Sequence, residues 1–136
     1  MRIAVVDDHR DSAELLAAVL EQHGEYEVHV FFDGASALAA LPALHADAAI
    51  LDFELPDMSG QALARELHAR PDCVALALIA LSGSSDIAEG VESLDGDFRV
   101  ELLKPVNIAA LRRALEACRA PAPPRRRPRA TGALSR

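Results

Sequence analysis

Long apolar runs are missing from this chain. Its hydrophobic residues make up 51% of 136 positions, yet they come in short stretches, well below the ~18 uninterrupted residues of a membrane helix. The first apolar stretch gives way to Asp7 and Asp8 too early to form a signal-peptide core, so the protein is expected in the cytoplasm. Cysteine is scarce: Cys73 and Cys118 lie far apart and form no Cys-x-x-Cys pair, which argues against a disulfide framework or a zinc knuckle. Reduced, buried thiols are expected instead. The five histidines, His9, His23, His29, His45 and His68, show no His-x-x-x-His spacing and no cysteine neighbour, so they are read mostly as surface residues. No internal repeat is visible. Acid is absent from the C-terminal stretch: all 21 acidic residues precede Ala120, together with only nine of the 14 basic ones. The remaining arginines fall in 121–136 among repeated prolines, with a single large aliphatic side chain, a composition that cannot offset its own ordering entropy. Residues 1–119 are therefore expected to form one domain, and residues 120–136 a disordered Pro/Arg-rich tail.

What is present is an alternation. Strand-like runs occupy Arg2–Val6, Glu27–Phe31, 48–51, 75–81 and 98–102, the third and fourth almost wholly apolar, as in strands covered on both faces. Between them, Leu15, Leu16, Val19 and Leu20 mark one face of a helix that opens with Asp11-x-x-Glu14, resembling a capping box, and closes at Gly24. Ile108, Leu111, Leu115 and Cys118, following an Asn107 cap, mark the last helix. Helices are also expected over 35–41 and 60–69, and a weaker one over 86–93, which contains Gly90. Five alternating units predict an α/β domain: a doubly wound parallel sheet of five strands, joined by right-handed crossovers, with helices on both faces.

In such a sheet, ligands gather at the carboxyl ends of the strands. There the first strand delivers Asp7 and Asp8, the third Asp52, the fourth Ser82 and the fifth Lys104. Converging carboxylates repel one another unless a cation neutralises them, and hard oxygen donors suit Mg2+, whose shell keeps room for phosphoryl oxygens. A carboxylate can attack a phosphoryl group, with a metal and a lysine offsetting the charge that develops. Each signal alone is commonplace: an Asp pair closing a strand is usually a turn, and Ser82-Gly83-Ser84-Ser85 alone reads as a turn or helix cap. Their joint occurrence, in order and at matching strand ends, is what carries weight.

These residues, with Pro56 and Gly60 after Asp52, Ala80-Leu81-Ser82-Gly83 and Lys104-Pro105, resemble the response regulator receiver family of two-component signalling over residues 1–119. The resemblance implies the strand order 2-1-3-4-5. It implies Asp52 as phosphoacceptor, Mg2+ held by Asp8 and Asp52 directly, by Asp7 through water and by the carbonyl of Glu54. Ser82 would be the switch hydroxyl and Lys104 the partner of the acceptor or its phosphate, with a cis bond before Pro105. The donor would be a histidine kinase or histidine phosphotransfer protein, and the output a downstream protein target, with nucleic acid unlikely as a partner. Such a domain is a signalling module rather than an enzyme, limited to its own phosphorylation and slow dephosphorylation. Where relatives commonly carry an aromatic residue three positions before the lysine, this chain has Glu101, which is expected to stay at the surface beside Arg99, Arg112 or Arg113.

Two other readings compete. A haloacid dehalogenase-type phosphohydrolase also uses an Asp nucleophile with Mg2+, and Asp52-Phe53-Glu54 superficially resembles its acid pair. That family places the nucleophile after the first strand and needs later acidic ligands, whereas only Glu116 follows Lys104. A degenerate receiver acting as a phosphorylation-independent binding module is the other alternative, weakened because every active-site position is filled. The stretch after Arg119 is too short for a DNA-binding domain, so the chain is expected to act as a stand-alone module or to be a fragment.

Overall fold

A computed structural model describes residues 1–82 and 97–119. Five strands, β1 (Arg2–Val6), β2 (Glu27–Phe31), β3 (Ala48–Asp52), β4 (Ala77–Ser82) and β5 (Val100–Leu103), form one sheet in the order β2-β1-β3-β4-β5, every pair parallel. Four α-helices are described: α1 (Arg10–Glu21), α2 (Gly34–Leu44), α3 (Gly60–His68) and α4 (Ile108–Ala117), with one 3-10 turn at Pro71–Cys73. The doubly wound sheet and its order match expectation. The helix expected over 86–93 and the tail 120–136 lie outside the described residues.

Strand alternation divides the core in two. Ile3, Val5, Ala48, Ile50, Ala77, Ile79 and Leu81 point to one face, where Leu16 and Leu20 of α1 and Leu111 and Leu115 of α4 cover them. Ala4, Val6, Ala49, Leu51 and Leu78 point to the other, beneath Leu41 of α2 and Leu63 and Leu67 of α3. The period of two along each strand makes this division, and every residue of β3 and β4 is buried.

Several boundaries differ from the sequence expectation for local reasons. Helix α1 starts at Arg10, before the Asp11–Glu14 pair, because the Asp7 carboxylate accepts the His9 N–H at 2.9 Å and turns the chain early. On its apolar face Leu16 and Leu20 are buried, but Leu15 is 66% exposed. Helix α2 runs past Pro42 to Leu44, although proline gives up one backbone bond, and ends at His45 in the left-handed region (φ 58°). Strand β4 begins and ends later than expected, and β5 begins two residues later, Arg99 still donating its N–H to the Leu78 carbonyl at 2.9 Å.

Both cysteines are buried and unpaired, as expected, and burial pushes each thiol above its ordinary value. Among the histidines, His68 departs from the surface reading. Its side chain is 9% exposed, with Nδ1 at 3.0 Å from Asp97 Oδ1 and Nε2 at 2.9 Å from the Leu76 carbonyl. A residue on a helix end became an internal tether because both ring nitrogens meet acceptors.

Candidate phosphoacceptor and metal site

The carboxyl edge of the sheet gathers the residues singled out in the sequence. Asp7 follows β1, Asp52 ends β3, Ser82 ends β4 and Lys104 follows β5. Asp7, Asp52 and Ser82 are the buried polar residues among those described, each no more than 5% exposed. In the register Asp52 pairs with Leu81, so Ser82 stands one residue further along the next strand. Lys104 donates its backbone N–H to the Ser82 carbonyl at 2.7 Å, and the bond to Pro105 is cis as expected.

Lys104 Nζ lies 3.4 Å from Asp52 Oδ2 and 3.6 Å from Asp7 Oδ2. Asp8, less buried, lies on the open side. Burial pushes the Asp52 carboxyl above its ordinary value; the Lys104 ammonium opposes that rise, and the Asp7 carboxylate adds to it. The Glu54 N–H reaches Asp52 Oδ1 at 3.4 Å, a weak contact. Ligand atoms of Asp7, Asp8, His9 and Asp52 all lie within 4.8 Å of one another. Three carboxylates against one ammonium leave negative charge in excess, and an oxygen-rich donor set of this kind fits a hard divalent cation such as Mg2+.

The loop after Asp52 is held from three sides. Ser59 caps α3 by accepting the Ala62 N–H at 3.0 Å, and Glu54 bridges to Ser59. Gly60 donates its N–H to the Phe53 carbonyl at 2.8 Å, and a Cβ on Gly60 would stand 2.5 Å from the Asp52 carbonyl oxygen. Glycine is required there by close backbone approach. Asp57, which sequence reading passed over, accepts the N–H groups of Gly34 and Ala35, both at 2.9 Å, fastening the loop to the start of α2. The N-cap Asp33 takes only the Ser36 N–H at 2.7 Å, so the Gly34 and Ala35 N–H groups of that first turn were left for a second acid.

His9 was also missed. Read as a surface residue, it is exposed, but its Nδ1 lies 3.2 Å from Asp7 Oδ1 and 3.3 Å from Asp8 Oδ1. Its place directly after the acid pair was the available signal. Glu101 is half-buried on β5 opposite Ala80. Among the described residues no ion pair joins it to Arg99, Arg112 or Arg113. Arg112 turns to Glu25 at 3.7 Å instead, because α4 lies beside the loop before β2, where Arg119 also meets Glu25 at 3.2 Å.

The chain matches the response regulator receiver domain over residues 3–116. It is 36% identical over 113 residues to the DNA-binding response regulator MtrA of Mycobacterium tuberculosis, covering 83% of this chain and 49% of that protein. It is 30% identical over 109 residues to the regulatory protein VanRc of Enterococcus gallinarum, covering 80% and 47%. The chain thus spans about half the length of the curated relatives it matches. Among solved structures, a CheY-like receiver domain from Methylobacillus flagellatus superposes with a TM-score of 0.77 at 29% identity, covering 87% of this chain and 98% of the other. TrrA from Thermotoga maritima, solved with Mg2+ and a beryllium fluoride group, gives 0.75 at 28% identity, covering 86% and 97%. Sheet order, acidic pocket and sequence similarity agree: this chain belongs to the response regulator receiver family of two-component systems.

Proposed function

We propose that this domain is a phosphoacceptor switch in which Asp52 takes a phosphoryl group from a phosphohistidine of a histidine kinase or histidine phosphotransfer protein. The observation that carries the reading is a buried Asp52 carboxylate in contact with Lys104 at the carboxyl edge of the sheet. An Asp52 oxygen attacks phosphorus, the P–N bond breaks, and the imidazole leaves with the bonding pair. Lys104, already between Asp52 and Asp7, offsets charge on the transferred oxygens, and the Ser82 hydroxyl reads the phosphoryl group once it is in place. Asp7, Asp8, Asp52 and the Glu54 carbonyl would hold Mg2+, which when bound neutralises the carboxylates and the phosphoryl oxygens.

The phosphodonor protein is assigned to the apolar groove between α1 and the segment after β5, lined by Leu15, Leu16, Val19, Pro105, Val106 and Ile108. That groove also includes Asp7 and Lys104, so a partner seated there brings its histidine to the acceptor. Among the described residues no helix is long and apolar enough to cross a membrane, and the reading places the domain in the cytoplasm as a non-enzymatic module. The DNA binding named for MtrA belongs to a protein of which the matched region makes up 49%. For the acidic domain described here, with 21 acids against nine bases before Ala120, the output is assigned to a protein target rather than to direct nucleic-acid contact.

Labelling with a small phosphoramidate donor tests the reading. The wild-type chain should gain one acid-labile phosphoryl group that needs a divalent ion. Asp52→Asn, folded by circular dichroism, should gain none. Equal labelling of Asp52→Asn, or labelling undiminished by excess chelator, would remove the mechanism; a folded wild type that never labels would favour the phosphorylation-independent binding module.

A further inference from the structure

We propose that His9 is an additional ligand of the divalent-ion centre, through Nδ1, and that it turns the pocket toward borderline first-row ions such as Co2+ relative to Mg2+. The inference rests on the metal-binding reading above and deepens it. Two observations carry it. The His9 Nδ1 stands 3.2 and 3.3 Å from one oxygen each of Asp7 and Asp8, and adjacent ligands around an octahedral ion with bonds of ~2.1 Å stand roughly 3 Å apart. The ring is thus spaced from both carboxylates as a neighbouring ligand is.

The second observation is that helix capping does not account for this placement. His9 occupies the N-cap of α1 but makes no side-chain cap bond; its backbone N–H donates to Asp7 Oδ1 at 2.9 Å, and its ring Nδ1 meets that same oxygen at 3.2 Å. The ring is therefore held over the acid pair while the backbone alone starts the helix. Carboxylate and water suit Mg2+, whereas imidazole suits the later first-row ions, whose affinities for a nitrogen-containing site rise from Mn2+ through Co2+ and Ni2+. A three-carboxylate pocket with an imidazole at its rim is a mixed N/O set.

An imidazolium paired with Asp7 and Asp8 would occupy the same place with the opposite consequence, since it would compete with any incoming cation. The experiment separates the two. Co2+ and Mg2+ affinities are measured on the full chain by calorimetry for wild type, His9→Ala and His9→Gln. Bound Mn2+ is examined by pulsed electron paramagnetic resonance for nitrogen coupling. The inference expects a loss of Co2+ affinity in both variants on the order of ten- to hundredfold. Mg2+ affinity should fall much less, and a 14N coupling should be present in wild type and absent in His9→Ala. Unchanged or tighter Co2+ binding in the variants, or no 14N coupling in wild type, overturns it. If wild type binds Mn2+ without that coupling yet still labels at Asp52, only the His9 assignment falls. If wild type neither binds a divalent ion nor labels, both readings fall.

Discussion

Asp52 is where burial and charge work against the folded chain. Its carboxyl is raised above the ordinary value of 3.8, so the native state holds its proton more tightly than the unfolded state does. With a raised folded value, the associated stability is fully present below the unfolded pKa and is lost as pH rises through the folded one. At neutral pH without divalent ions, the ionised Asp52 therefore costs stability. Asp52→Asn is expected to raise the melting temperature at pH 7 in chelator, and that gain should shrink as pH falls through the raised folded value and be absent below about 4, the unfolded value. Differential scanning calorimetry across pH checks this; a variant less stable than wild type at pH 7 would mean that the Lys104 contact outweighs burial. Gly60 is the second residue with a sharp requirement. A Cβ 2.5 Å from the Asp52 carbonyl meets backbone that cannot rotate away, so Gly60→Ala should cost about 1–3 kcal/mol in urea denaturation and slow the labelling of Asp52.

At the scale of elements, the loop between β3 and α3 is fastened to α2 by one side chain. Replacing Asp57 with alanine leaves the Gly34 and Ala35 N–H groups without their acceptor at the open end of α2. A loss of about 1 kcal/mol, up to 2, is expected, as for other helix-cap removals, with hydrogen exchange rising in 53–59 before it rises in β3. Exchange unchanged in that loop would show that Ser59 and Gly60 suffice to hold it. The elements themselves were largely legible. Apolar runs and helical periods located the five strands and the four described helices because each buries a regular stripe. Ends were less legible: the start of α1 depends on the Asp7 contact with the His9 N–H, and the end of α2 on a left-handed His45, neither of which periodicity encodes. Site residues at strand ends were readable because the sheet brings every carboxyl end to one edge. Asp57 and His9 escaped because their partners are set by tertiary approach, a first turn 22 and 23 residues away and a bend at the acid pair.

At the scale of the whole molecule, the two core clusters among the described residues run from Ile3 to Cys118. The proposed division into a domain over 1–119 and a separate 120–136 therefore predicts that deleting 121–136 leaves the melting temperature within about a degree or two, since surface changes away from the core are usually worth under ~0.5 kcal/mol. Thermal denaturation of both lengths, in low and high salt, tests it. A large drop that high salt abolishes would mean that the arginines rest on the acidic domain.

The backbone bond from Lys104 to Ser82 carries a mechanical implication. The cation and the hydroxyl sit on neighbouring strand ends laced together at 2.7 Å, while Asp52 stands on the strand beyond them. They form one jaw facing a fixed anvil. Under the proposed phosphotransfer, a pull on either group would be shared by both, and the strain of gripping a transferred group would be delivered at the end of β4.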